Sequence, residues 1–182
     1  FQALLTEIAA QKPDVVFAFF AGGGAVKFVK DYDAAGLRRT IPLMGSGFLT
    51  DGTLQAQGES AQGLITTLHY GDNIETPRNN AFRNKFAVTY KLNPDVYAMQ
   101  GYDAAQLLAV GLNAVKGDVT KKDAMIAAMK KAKIDSPRGA FTMSPQHNPT
   151  QDFYVREVKG NYNVVTGVAV KALADPGRGC RM

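Results

Sequence analysis

An α/β fold is predicted, and two observations predict it. In Asp14–Leu37, DVVFAFFAGGGAVKFVKDYDAAGL, residues 15–21 form an unbroken apolar run rich in β-branched and aromatic side chains. That composition suits a parallel strand covered on both faces. Gly22, Gly23 and Gly24 end the run in a turn without side chains, and from Ala25 the period becomes helical. Val26 and Val29 lie on the stripe, Phe28 and Tyr32 a little off it, and Gly36 is placed to close the helix. The second observation is recurrence: residues 41–44 form another short apolar strand, ended by Gly45-Ser46-Gly47 and followed by Phe48. In open α/β sheets ligands sit beyond the carboxyl ends of the strands, where glycines let backbone approach and helix N-termini offer free N–H groups. The loops at Phe20–Gly24 and Ser46–Gly47 are therefore the candidate site, on two strand ends expected to face one cleft.

The remaining elements follow in order. Phe1, Leu4, Leu5, Ile8 and Ala9 trace a helix closed by Lys12-Pro13. It reads as a crossover helix without its preceding strand, so the chain is expected to be a piece of a longer one. Asp51 is a candidate N-cap for a short helix through Leu54. Residues 64–70 are a third strand, and Gly71 to Pro77 reads as a linker. Phe82, Phe86 and Tyr90 recur at every fourth position. The longest helix is expected from about Val96 to Val115, with Leu108, Leu112 and Val115 in the core. Thr120 with Asp123 resembles a capping box for a helix holding Met125, Ile126 and Met129. From Ser136 the pattern turns to strands, at 140–143, 152–158 and 163–170.

Composition bounds the function. No apolar run reaches the roughly 18–20 residues that span a bilayer. The formal charge is +5, but the basic residues are dispersed, with no aromatic-interleaved stripe and no reader motif, so nucleic acid is not an expected partner. The single cysteine, Cys180, forms neither a pair nor a metal cluster within the chain.

The motifs of catalysis are missing. Gly22–Gly24 lacks the Lys-Ser/Thr of a phosphate loop and does not fit G-x-G-x-x-G, so no nucleotide cofactor is expected. His69 and His147 have no ligand partners at metal spacing, and Ser46 is not in a nucleophile elbow. Asp51 with Glu59, or Asp72 with Glu75, read as hydrated loop charges rather than acid/base pairs. No cofactor, metal or enzymatic activity is expected.

The succession DVVFAFFAGGGAVKFVKDYDAAGL, IPLMGSGFLTDG, AQGLITTLHY, F-x-x-x-F-x-x-x-Y, GYDAAQLLAVGLNAV and SPRGAFTMSPQHNPTQDFYVREV resembles the branched-chain amino-acid-binding (Leu/Ile/Val) type of periplasmic substrate-binding protein of ABC transporters. The resemblance implies the two-lobe type I fold, with Rossmann-like parallel sheets flanked by helices, of which this chain is the C-terminal half. Residues 1–70 would belong to the second lobe, 71–148 to the first, and 149–182 to a last passage into the second and a tail. It further implies a periplasmic protein that binds a small molecule for a membrane permease, completed by the missing N-terminal half. Carried over by position, Ala21 stands where amino-acid binders carry an aromatic contact, Gly47 where they carry an acidic residue for the ligand ammonium, and Tyr97 near an aromatic wall. Without that carboxylate an α-amino group would be costly to desolvate. An aromatic or other organic acid is therefore expected, with Phe20, Ala21, Gly22, Gly23, Ser46, Gly47, Phe48 and Tyr97 as ligand contacts. The alternatives are the sensing domain of a transcriptional regulator and a doubly wound α/β enzyme.

Overall fold

The computed structural model describes residues 1–179, so Cys180 lies outside the described residues. In chain order the elements are α1 (Gln2–Gln11), β1 (Val16–Ala18), α2 (Gly22–Ala34), β2 (Leu43–Ser46), α3 (Leu54–Gln57), β3 (Ile65–Leu68), α4 (Pro77–Tyr90), α5 (Val96–Ala114), α6 (Lys122–Lys130), β4 (Thr142–Met143), β5 (Pro149–Lys159) and β6 (Tyr162–Leu173). They form two compact units: Phe1–Asn73 with Tyr154–Ala169, and Ile74–Phe153 with the chain from Val170. Tyr154–Ala169, in the middle of β5 and β6, thus falls in the first unit, and the outer ends of both strands fall in the second. Strands of 11 and 12 residues rise about 3.3 Å per residue, longer than one short sheet requires.

In the first unit β1, β2 and β3 pair in parallel, and β5 joins β3 antiparallel. Helix α2 supplies the largest share of the core. Ala25, Phe28, Val29 and Tyr32 are fully buried, at i, i+3, i+4 and i+7. Phe28 and Tyr32 are therefore central to the stripe, not beside it, and Val26 is only half-buried. The helix starts three residues earlier than its side chains suggested, because Gly22–Gly24 form its first turn rather than a loop. Tyr32 donates its hydroxyl to the Ile41 carbonyl at 3.0 Å, and burial pushes its phenol up from the ordinary value. Leu5, Leu37, Leu43, Leu49, Leu64 and Val158 belong to the same core.

The expectation that β1 is covered on both faces is not met. Its alternation puts Ala18 in the core, whereas Phe17 and Phe19 are 69% and 65% exposed. The same face carries Met44 and Ile65, paired in register with Phe17 and with each other. One face of this sheet is covered by helices, while on the other Phe17 and Phe19 stay exposed among the described residues.

In the second unit the Thr76 hydroxyl caps α4 by accepting from the Asn79 N–H, with Pro77 at the first helical position. The rings of Phe82, Phe86 and Tyr90 ladder along α4 with centroids 5.9 and 4.6 Å apart. Asp95 caps α5. Leu108 and Leu112, expected in the core, are 49% and 38% exposed; the buried positions of α5 are Val96, Met99, Asp103 and Gly111. Gly111 is the contact with α6, where Met125 and Met129 lie where its Cβ would be. The expected capping box is also absent. Thr120 turns its hydroxyl back to Asp118 at 2.5 Å, and Lys121 occupies the N-cap of α6.

A polar cluster anchors the 136–141 segment to α5. Asp103 Oδ2 accepts from Arg138 Nε and Nη2, both at 2.9 Å, and from the Ser136 hydroxyl at 2.7 Å. Arg138 also donates to Gln151 and lies 4.3 Å above the Phe141 ring. Burial raises the Asp103 carboxyl above its ordinary 3.8, outweighing the pull of Ser136 and Arg138. At Asp33 burial also raises the carboxyl, but hydrogen bonds from Ser60 and Arg38 and the charges of Arg38 and Arg39 together hold it below that value. The signs are opposite. Asp103 binds its proton more tightly folded than unfolded, so its contribution to stability is largest in acid and is lost as pH rises from the ordinary value through the raised one. Asp33 contributes at neutral pH, and its contribution is lost as pH falls below 3.8 through its depressed value. Carbon-13 titration of the aspartate carboxyls is expected to show Asp103 above and Asp33 below the ordinary midpoint; the reverse order would refute both assignments.

Candidate ligand-binding site

The two loops picked out from the sequence are neighbours. Because Ala18 of β1 is in register with Gly45 of β2, the carboxyl ends of these parallel strands lie side by side. Ala21 is extended and serves as the N-cap of α2 without a side-chain cap bond, so the first-turn amides are open at this edge. Gly22 has φ +54°, a left-handed value that favours glycine, and nothing lies within 4 Å of a Cβ built on Gly22 or Gly23. A dipolar helix N-terminus and a bare backbone suit a small anion approaching beyond the strand ends.

The side chains at this edge divide by the pleat. Phe20 is turned to the core, with its ring 5.0 Å from Phe1 and 4.7 Å from Phe28, so it supports the loop rather than offering a free face. Phe19, absent from the sequence-derived set, is the exposed ring and meets Phe48 edge to face at 6.1 Å. The signal for Phe19 was present in strand parity. If Ala18 faces the helices, Phe19 must face away.

Ser46, at the carboxyl end of β2, buries its hydroxyl oxygen with no hydrogen-bond partner among the described residues. An unsatisfied buried hydroxyl costs about 1–3 kcal/mol. A ligand oxygen reaching the strand end would relieve that cost. Gly47 is explained by packing: a Cβ there would stand 2.6 Å from both Arg156 Nη2 and Leu68 Cβ. A side chain at 47 would run into the protein interior, so the missing carboxylate is first a consequence of how tightly Arg156 and Leu68 approach the backbone.

Asp51 corrects another expectation. It is neither the N-cap of α3, a position held by Thr53, nor a hydrated loop charge, but a buried partner of Arg156 at 2.7 Å. Tyr97 lies in the first turn of α5, in the second unit, and is exposed. His69 is buried and His147 exposed, and among the described residues no three His, Cys, Asp or Glu side chains are grouped to hold a metal. No helix among the described residues is long and apolar enough to cross a membrane.

The first unit also has a cavity of about 340 Å³, bordered by Arg38, Arg39, Leu43, Gln62 and Leu64. It opens at the amino ends of β2 and β3, the edge away from the two loops. The position rule for α/β sheets favours the carboxyl edge.

Known proteins match this architecture. Residues 1–163 match the model of the periplasmic binding protein family. The chain is 31% identical over 166 residues to a Leu/Ile/Val-binding protein homologue of Brucella melitensis, covering 87% of the chain and 42% of that relative. It superposes with a TM-score of 0.95 and 52% identity on a solute-binding protein of an ABC transporter from R. palustris solved with benzoate, covering 100% of this chain and 50% of that one. A second solute-binding protein, from Rhodopseudomonas palustris BisB5 and solved with 3,4-dihydroxybenzoic acid, matches at 29% identity and TM-score 0.86, over 96% of this chain and 50% of that one. The chain spans about half the length of these relatives. With its mixed sheet led by three parallel strands, its flanking helices and a family match running from Phe1 to Asn163, the chain belongs to the periplasmic binding protein family.

Proposed function

We propose that the protein containing this chain is the extracytoplasmic solute-binding component of an ABC transporter, and that it holds an aromatic carboxylate for delivery to a membrane permease. The observation that carries the reading is the match at 52% identity and TM-score 0.95 to a solute-binding protein in complex with benzoate. The edge chemistry agrees. Gly22 and Gly23 leave backbone amides open, Ser46 holds an unpaired hydroxyl, and Phe19 with Phe48 offers aromatic surface for a flat ring. Phe20, Ala21 and Gly47 enter this reading as the framework of the same loops, and Tyr97 as a second aromatic contact on the strength of the resemblance. The ligand carboxylate is held chiefly by the N-terminal half of the protein. Binding without chemical change fits a family of solute-binding proteins, which are not enzymes.

A thermal-shift panel on the whole protein tests the reading. Benzoate or 4-hydroxybenzoate at about a hundred times Kd is expected to stabilise it by about 2.7 kcal/mol. Stabilisation by leucine and by neither aromatic acid would sink the proposed ligand class.

A further inference from the structure

Arg156, on β5, has no solvent exposure, and its hydrogen bonds reach the loops that follow β2 and β3 and one side chain of β3 itself. Its Nη2 donates to the Gly47 carbonyl at 3.3 Å and lies 2.7 Å from the Asp51 carboxylate. Its Nη1 donates to the Tyr70 carbonyl at 3.0 Å, and Nε and Nη2 reach the Thr66 hydroxyl at 3.3 and 3.0 Å. Gly47 and Asp51 are the two ends of one tight turn, closed by the Thr50 and Asp51 amides donating to the Gly47 carbonyl at 3.1 and 3.0 Å. A single planar guanidinium therefore holds both ends of the turn that carries Phe48 and follows Ser46.

Burial alone does not account for this choice of residue. A buried ion pair is often matched or bettered in stability by apolar side chains of similar volume. What apolar side chains cannot supply is several donors in a fixed fork aimed at two carbonyls and a carboxylate. The absence of a Cβ at Gly47 is what lets Nη2 reach the turn.

We infer that Arg156 is a positioning residue for ligand recognition, setting the angle at which the Ser46–Phe48 loop is presented. The inference rests on the proposed function for its ligand, benzoate, and on geometry alone for its effect on the loop. Arg156→Lys keeps a cation for Asp51 but cannot hold Gly47, Tyr70 and Asp51 together. In the whole protein it is expected to weaken benzoate binding at least tenfold by calorimetry. It should also speed amide exchange at Thr50 and Asp51 at least tenfold without ligand, while leaving exchange at Leu5 in α1 unchanged.

Unchanged exchange at Thr50 and Asp51 in a folded Arg156→Lys protein would overturn the inference, as would wild-type benzoate affinity despite faster exchange. If the wild-type protein binds no benzoate, the proposed ligand falls and the exchange data alone judge Arg156. Should Arg156→Lys not fold, Asp51→Asn frees the same end of the turn, and unchanged exchange at Thr50 in that variant would equally refute the role.

Discussion

Phe28→Ala is expected to destabilise the protein by about 3–5 kcal/mol, the usual cost of removing a fully buried aromatic ring. The ring is 1% exposed and is met by Phe20 at 4.7 Å, Phe1 at 5.2 Å and Tyr32 at 5.8 Å. Its loss opens a void lined by rings already fixed by other contacts: Tyr32 is tied to the Ile41 carbonyl, and Phe20 packs against Phe1. These neighbours can collapse only partly, so the cavity cost adds to the lost transfer free energy. Phe17→Ala is the contrast, since its ring is largely exposed and surface changes commonly stay within about 0.5 kcal/mol. Urea titration followed by circular dichroism separates the two. A Phe28→Ala midpoint no lower than that of Phe17→Ala would show that α2 does not anchor the core.

Asp103→Ala should cost a comparable amount, about 3–5 kcal/mol, by a different route. The Asp103 and Arg138 side chains are both nearly inaccessible, 2% and 7% exposed. Deleting the carboxylate leaves a buried guanidinium whose remaining acceptor, Gln151, is neutral. Desolvation of an uncompensated charge is the source of the penalty, so removing both charges should relieve much of it. Asp103→Ala combined with Arg138→Met is expected to be more stable than Asp103→Ala alone. A double variant that is less stable by the full sum of both single losses would show that the pair is not the dominant interaction.

Local pattern and tertiary packing contributed differently to the site. The two small-residue loops were legible because each ends an apolar run, and a strand end followed by glycine is a local signal. An unbroken apolar run points to Phe20 and Phe19 alike, because it does not reveal which parity faces the helices. The pleat decides that only once α2 is packed. The sequence makes Asp51 look hydrated, because its partner, Arg156, lies 105 positions along the chain and reaches it through the antiparallel pairing of β3 with β5. Nothing near Asp51 announces a buried cation. Leu108 and Leu112 show the opposite error: helical spacing marks an apolar face correctly, but it does not say whether this length of chain contains the surface that covers it.

By itself the sequence determined the element types, the strand–glycine–helix order and the absence of nucleotide and nucleophile motifs, since each rests on residues within one or two turns of each other. Only the tertiary structure decided that the β1 and β2 loops share an edge, that Phe19 rather than Phe20 is exposed there, and that Gly47 is bare because Arg156 and Leu68 crowd it. The physical reason is range. Periodicity and turn chemistry act over a few residues, whereas register, face and the pairing of buried charges are settled by contacts between segments far apart in the chain.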